Sequence, residues 1–182
     1  NETTPFAMAT VATTVGAKST LELGSLGLSG IYRGKLSGLT IEGGNTESSR
    51  AQFSTVKGVY STGAVTAKNA AIFVKSDGYL TMDSLAFAED DSLRIDGTLT
   101  VKGNLTSASD AMAVLDNFGE LTVEGDTTLN GSLTNHSNAY ASLRKTSVNG
   151  TLTNAANAYL EANDLTVRGQ LVNFGQIEAS DT

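Results

Sequence analysis

The sequence contains no cysteine and no tryptophan, and only one proline and one histidine among its 182 residues. The lack of cysteine excludes disulfides and thiolate-bound metals. Charged residues make up 17% of the chain, below the usual quarter, and aromatic residues 6%. The helix-favouring residues Lys, Glu and Arg are therefore few, whereas glycine (19 residues), Thr, Ser, Asn and Val favour strands and turns. We expect an all-β protein.

The chain also lacks positive charge and long apolar runs. Its formal net charge is −7 and its pI is about 4.6, which argues against a nucleic-acid partner, because such proteins usually carry a basic stripe. No apolar run approaches the roughly 18–20 residues of a spanning helix, so we expect no membrane insertion. No signal peptide is visible. Because the chain starts at Asn1 and stops inside a repeat, we expect a piece of a longer exported protein.

One short phrase recurs along the chain. It reads Leu-Thr-Val, a polar residue and Gly, or a close variant, at 99–103, 121–125, 146–150 and 165–169, with an earlier relative at 80–83. The starts are 19, 22, 25 and 19 residues apart. Within the phrase, Leu99 and Val101 alternate with Thr100 and Lys102, which predicts a strand with one buried face. The glycine that follows fits a tight corner.

A second phrase, Gly-x-Leu-x-Asn, is stricter. It occupies 131–135, 150–154 and 169–173, in two steps of 19 residues. A period near 20 built from short strands and turns is typical of a β-solenoid. We predict a right-handed parallel β-helix with about 19–25 residues per rung. The whole of 1–182 is one segment, in which 1–38 is irregular (a cap or first rungs) and 39–182 forms rungs, with loops at 106–113 and 126–130.

Two columns of polar side chains follow from stacking these rungs. The first is an asparagine ladder, which we expect to bond from rung to rung through its side-chain amides: Asn117, Asn135, Asn154 and Asn173. The second is the outward residue after each strand, where no neighbours share a charge sign, as stacking requires: Asp83, Lys102, Glu124, Asn149 and Arg168. We interpret this second column as the candidate binding face.

The phrases at 150–154 and 169–179 resemble the repeat of filamentous haemagglutinin-type exoproteins, which are secreted through two-partner systems, and of autotransporter passenger adhesins. The resemblance covers 99–182 well and 39–98 loosely. It implies a right-handed β-helix secreted to the surface of a Gram-negative bacterium, with roles in adhesion, biofilm formation and virulence. The partners it implies are a host-surface glycan, a matrix protein or a further copy of the chain.

Enzymatic chemistry is hard to build from this sequence. His136, the only histidine, lies in a polar turn without an evident acid or nucleophile partner, and no metal-ligand spacing, phosphate loop or nucleophile elbow is present. The acidic run 89–91 fits a solvated turn. We therefore expect no catalytic residue, no metal and no cofactor. Two alternatives stay open: a β-helical polysaccharide lyase or glycan depolymerase, and a passive spacer.

Tyr140 and Tyr159 are interpreted either as an outward contact stripe or as corner padding.

Overall fold

The structure, a computed structural model, describes residues 12–23 and 33–180. These residues form parallel strands and one short 3-10 helix, Glu47–Ser49. The strands are β1 (Ala12–Val15), β2 (Thr20–Leu23), β3 (Arg33–Glu42), β4 (Ala51–Thr55), β5 (Gly58–Lys68), β6 (Ala70–Val74), β7 (Gly78–Phe87), β8 (Ser92–Ile95), β9 (Thr98–Val101), β10 (Leu105–Ser107), β11 (Val114–Asn117), β12 (Glu120–Val123), β13 (Thr127–Leu129), β14 (Ser132–Asn135), β15 (Tyr140–Leu143), β16 (Thr146–Val148), β17 (Leu152–Asn154), β18 (Tyr159–Asn163), β19 (Leu165–Val167), β20 (Leu171–Asn173) and β21 (Gln176–Ser180).

The strands stack into three faces. Face one contains β9, β12, β15, β18 and β21, and face two contains β1, β10, β13, β16 and β19. Both belong to one sheet, because the long strands β3, β5 and β7 run across them; the first half of β7 pairs with β9 and its second half with β10. Face three is the separate eight-stranded sheet of β2, β4, β6, β8, β11, β14, β17 and β20. The predicted all-β parallel solenoid is therefore confirmed.

Alternation of side chains explains why these short strands form. In β12 the two apolar residues Leu121 and Val123 are fully or almost fully buried, whereas Thr122 between them is half-buried and points outward. Register places like residues above one another, so that Leu80, Leu99 and Leu121 lie on successive rungs of face one. Each face thus contributes apolar columns to one continuous core, whose burial is the main stabilising term of the rod.

The rungs are shorter and more even than the sequence spacing indicated. Along face one, Leu80, Leu99, Leu121, Ala141 and Leu160 succeed one another. These steps are 19, 22, 20 and 19 residues, so the expected step of 25 from 121 to 146 is wrong. Thr146 lies instead on face two, paired with Thr127. The phrase that starts at 146 therefore belongs to a different face from the phrase that starts at 121.

The expected loops need one further correction. Residues 126–130 contain β13, a regular strand of face two, and β10 occupies 105–107, so the irregular part of the first expected loop is 108–113. Residues 126–130 looked like an insertion because the 146 phrase had been aligned with face one, whereas residues 108–113 lie within the true 22-residue step from Leu99 to Leu121. Of the expected irregular segment 1–38, residues 1–11 and 24–32 lie outside the described residues. In its described part, β1 pairs in parallel with β3 and β2 with β4.

Candidate binding faces

The four ladder asparagines lie in one interior column at the end of face three. The amide nitrogen of Asn117 donates to the side-chain oxygen of Asn135 at 2.8 Å, and Asn135 donates in the same way to Asn154 at 3.0 Å. Asn154 in turn donates to Asn173 at 3.0 Å. Asn117, Asn135 and Asn154 are fully buried. Apart from its exposed last member, Asn173, the ladder is therefore part of the core and offers no surface to a ligand.

Each ladder amide also ties face three to face one. The second amide hydrogen of Asn117 goes to the backbone oxygen of Tyr140 at 2.8 Å, and that of Asn135 goes to the backbone oxygen of Tyr159 at 2.9 Å. The corner residues with left-handed backbones are others, including Asn138 (φ 66°) and Asn157 (φ 63°). The ladder asparagines therefore act through their side-chain hydrogen bonds, and the left-handed backbone conformation is adopted by the corner asparagines instead.

The expected outward column of five residues divides between two corners. Asp83, Lys102 and Glu124 follow one another after face one. Asn149 and Arg168 lie after face two, where the side-chain amide of Asn149 donates to Asn130. The five positions therefore do not form one binding column. The reason is the change of face between the phrases at 121 and 146.

The corner after face one nevertheless alternates in charge once the register is correct. Val123 pairs with Leu143, so the residue above Glu124 is Arg144, whose guanidinium donates to the backbone oxygen of Glu124 at 3.2 Å. The charges along this corner are therefore negative, positive, negative and positive, at Asp83, Lys102, Glu124 and Arg144. Opposite charges on neighbouring rungs stabilise stacking by about 0.2–1 kcal/mol each. This column is exposed and follows the long axis.

Face two carries a row of outward hydroxyl groups that we name the hydroxyl row. One outward residue stands at the same place on each described strand of the face, and seven of these eight residues are Thr or Ser: Thr14, Thr40, Thr66, Ala86, Thr106, Thr128, Ser147 and Thr166. Adjacent members are about 4.8 Å apart, so the row runs for roughly 34 Å. It presents repeated donors and acceptors along a single straight line.

Face one carries a shorter hydroxyl column beside two tyrosines. Its outward members Ser61, Thr81, Thr100, Thr122 and Ser142 succeed one another in register. Tyr140 and Tyr159 are neighbours in the adjoining column, with ring centroids 5.6 Å apart and planes inclined by 5°. The Tyr140 hydroxyl donates to Glu161 at 2.9 Å. Both rings point outward and form a stripe on face one, so they are not padding inside the corner.

The carboxylates on the next rungs hold these phenols in their neutral form. A hydrogen bond to Glu178 raises the pKa of Tyr159 to about 12, because a phenol that donates to a carboxylate resists losing its proton. The bond to Glu161 likewise raises the pKa of Tyr140. Both tyrosines therefore serve as hydrogen-bond donors at any physiological pH.

His136 has a carboxylate partner that the sequence did not reveal. Its Nε2 lies 2.9 Å from a carboxylate oxygen of Asp116, and its ring stacks on Phe118 with centroids 3.7 Å apart and an interplanar angle of 8°. On the other side of Phe118, the Arg94 guanidinium lies 4.5 Å from the ring centroid. The Arg94 guanidinium also donates a bidentate pair of hydrogen bonds to the Asp96 carboxylate, at 2.8 and 3.1 Å. Face three thus groups charged, imidazole and aromatic side chains on neighbouring rungs.

The acidic run 89–91 contains a structural carboxylate. Asp91 is buried and accepts hydrogen bonds from the backbone N–H groups of Ala70 (2.7 Å), Ala88 (3.2 Å) and Glu89 (3.3 Å). Burial raises the pKa of the Asp91 carboxyl, against the opposing effect of these bonds. The expectation of a solvated turn is therefore wrong for Asp91. Within residues 12–23 and 33–180, no group of three or more His, Asp or Glu is arranged to hold a metal ion.

Comparison of the chain with protein-family models, with curated proteins and with solved structures gives no match. Among the described residues, no helix has the length and apolar character needed to span a membrane.

Proposed function

We propose that this chain is an adhesive module of a secreted bacterial surface protein, which binds an extended surface polymer or a further copy of itself through the hydroxyl row. The observation that carries the proposal is the row itself, with seven Thr or Ser residues in register along face two. An enzyme needs a few converging groups, whereas a straight row of equivalent groups suits a straight ligand with repeated polar groups.

Distributed contact explains how such weak groups give useful binding. A single neutral hydrogen bond contributes about 0.5–1.5 kcal/mol after the loss of bonds to water. Groups fixed on one rigid sheet add to one another, because the first contact places the others at high effective concentration. The parallel stack fixes the spacing in advance, so little ordering free energy is lost on binding. The alternating corner at 83, 102, 124 and 144 adds a second line of contacts.

The resemblance to haemagglutinin-type exoproteins supports the bacterial surface as the setting. Host-surface glycans and matrix proteins are the polymers that such a module meets there, and a second copy would serve aggregation and biofilm growth. The net charge of −7 fits neutral or cationic surfaces better than anionic ones.

A glycan-cleaving function is the second candidate, and the cluster on face three favours it. Asp96, Asp116 and His136 could supply acid and base groups, and Arg94 could hold an anionic sugar. In this structure the four side chains are paired with one another, Arg94 with Asp96 and His136 with Asp116. Cleavage would require a substrate to break at least one of these pairs.

The experiment that separates the candidates incubates the chain with immobilised neutral and acidic glycans, matrix proteins and the chain itself, and scores both retention and released fragments. Retention without fragments is the expected result. Fragments that disappear in Asp116→Asn would show the glycan-cleaving function instead. Absence of both retention and fragments on every surface would contradict the adhesive proposal and leave the spacer.

A further inference from the structure

The corner after face three carries a column of ring-bearing residues with one gap. Phe118, His136, Ala155 and Phe174 occupy equivalent places on successive rungs. The backbone N–H group of each residue donates to a backbone oxygen on the rung below, at 2.7–2.9 Å. The acceptors are, in order, Ile95, Asn117, Asn135 and Asn154. The third place, Ala155, has only a methyl group, so the column of rings is interrupted there.

The Phe118–His136 pair shows how rings lie in this column. They stack face to face across neighbouring rungs, so their planes lie across the long axis of the solenoid and their edges point outward. Asp116 and Phe118 together fix the His136 ring. The face of the His136 ring opposite to Phe118 is therefore turned towards the rung of Ala155.

Phe174 repeats the local structure of Phe118. Each follows a ladder asparagine and precedes a glycine, whose N–H donates to that asparagine's side-chain oxygen, at 3.2 Å for Gly119 and 3.1 Å for Gly175. Phe174 is 73% exposed. We therefore place its ring across the axis as well, two rungs from His136. Two strand spacings amount to about 9.6 Å, so rings placed in this way would bound a slot with Ala155 as its floor.

The width of the slot selects a puckered ring. A flat aromatic ring in van der Waals contact with two walls needs about 7 Å between them, because carbon atoms meet at about 3.5 Å. A pyranose chair is thicker, since its carbons are puckered and carry axial hydrogens on both sides. The spacing of about 9.6 Å therefore suits a sugar ring better than a second aromatic side chain.

Apart from His136 and its partner Asp116, the groups around the slot are polar and uncharged. Thr134 and Thr153 stand outward on the strands beside it, and Asn138 and Asn157 occupy the left-handed corners on its other side. Apart from His136, residues 132–138, 151–157 and 170–176 contain no ionisable side chain. Hydroxyl and amide groups around ring walls match the hydroxyl groups of a neutral sugar and offer no counter-charge to a uronate.

We propose that the slot between His136 and Phe174 binds one pyranose ring of a neutral glycan. It lies on face three and does not involve the hydroxyl row, so the failure of either test leaves the other standing. The sugar ring enters edge-first over Ala155, stacks between the two side-chain rings and bonds to the flanking hydroxyl and amide groups.

The test follows the imidazole C–H resonances of His136 by NMR while cellohexaose, maltohexaose or laminarihexaose is added. Because His136 is the only histidine in the sequence, these signals are unambiguous. We expect a saturable shift with at least one of the three neutral hexasaccharides. Ala155→Leu should weaken this binding at least tenfold by filling the slot, and Phe174→Ala should weaken it by roughly three- to tenfold through loss of one wall.

Ala156→Leu is the matched control, since Ala156 is the next residue along and is exposed. It should bind the hexasaccharide as the parent chain does, and its circular dichroism should equal that of Ala155→Leu. The proposal is overturned if none of the three hexasaccharides moves the His136 signals. It is also overturned if Ala155→Leu and Ala156→Leu bind equally well.

Discussion

Asn135 illustrates how a single residue holds two faces together. Its amide donates to Asn154 and to the backbone of Tyr159, and its oxygen accepts from Asn117. Because all of these atoms are buried or half-buried, removing the side chain leaves several polar groups without partners. Each such group costs about 1–3 kcal/mol. Asn173 lies at the exposed end of the same ladder, so removing its side chain leaves fewer buried polar groups without partners.

We therefore expect Asn135→Ala to lower the free energy of unfolding by about 3 kcal/mol and Asn173→Ala by about 1 kcal/mol or less. Urea unfolding followed by circular dichroism measures both. Equal and small effects of the two substitutions would show that the ladder does not stabilise the rod.

The tyrosine stripe gives a prediction about pH. The folded pKa of Tyr159 is about 12, above its ordinary value of 10.0. The stabilising contribution of this phenol is thus fully present below pH 10 and is lost as the pH rises towards 12. Tyrosinate absorbance of the folded chain should contain one component near pH 12 that is missing in Tyr159→Phe. In Glu178→Gln that component should move to lower pH. A single transition common to all tyrosines, unchanged in these variants, would contradict the bond to Glu178.

The sequence was informative about some residues and silent about others for physical reasons. The ladder asparagines were found because an interior amide that must bond to its own kind recurs at a fixed step. The partner of His136 was missed because Asp116 lies 20 residues earlier and is brought close only by the stacking of face three. A contact across rungs has no local signature unless both partners repeat.

At the level of the strand, the register was predictable within one face and failed between faces. Strands of faces one and two both bury the two residues on either side of an outward Thr or Ser, as in β12 and β16. Their sequences therefore look alike, and the phrase at 146 was aligned with the phrase at 121 although the two lie on different faces. Strand length and side-chain alternation do not reveal whether a strand belongs to face one or to face two. The parallel solenoid itself, in contrast, follows from the alternation and the period.

The absence of cysteine allows a direct test of this register. Thr122 faces Ser142 on the neighbouring rung, and Ser147 faces Thr128. Since residues opposed on neighbouring strands are about 5 Å apart, Thr122→Cys with Ser142→Cys should form a disulfide on mild oxidation. The alignment of 121 with 146 would instead pair Thr122 with Ser147. The double variant Thr122→Cys with Ser147→Cys should stay reduced within the monomer, and rapid oxidation of that pair alone would contradict the register.

The whole described molecule is a stack in which every rung repeats the same three-sided plan. Its interior is an apolar core with an asparagine ladder, and its exterior carries different chemistry on each side: tyrosines and carboxylates on face one, the hydroxyl row on face two and ring-bearing residues on face three. A parallel stack turns any side chain that recurs once per rung into a line of equivalent groups, and this property is what the adhesive proposal uses.

The most direct test of that proposal removes hydroxyl groups from the row step by step and measures the binding that remains. Thr106, Thr128, Ser147 and Thr166 are changed to Ala one, two and four at a time, since Ala86 already shows that alanine is accepted in the row. The matched control changes Ser61, Thr81, Thr100 and Thr122 to Ala on face one. Retention on the surface that best holds the parent chain is then measured.

We expect a graded loss with each step on face two, by roughly two- to tenfold per hydroxyl, and little change for the control on face one. Undiminished retention after all four replacements in the hydroxyl row, or equal loss in the control, would contradict the claim that this row is the adhesive surface.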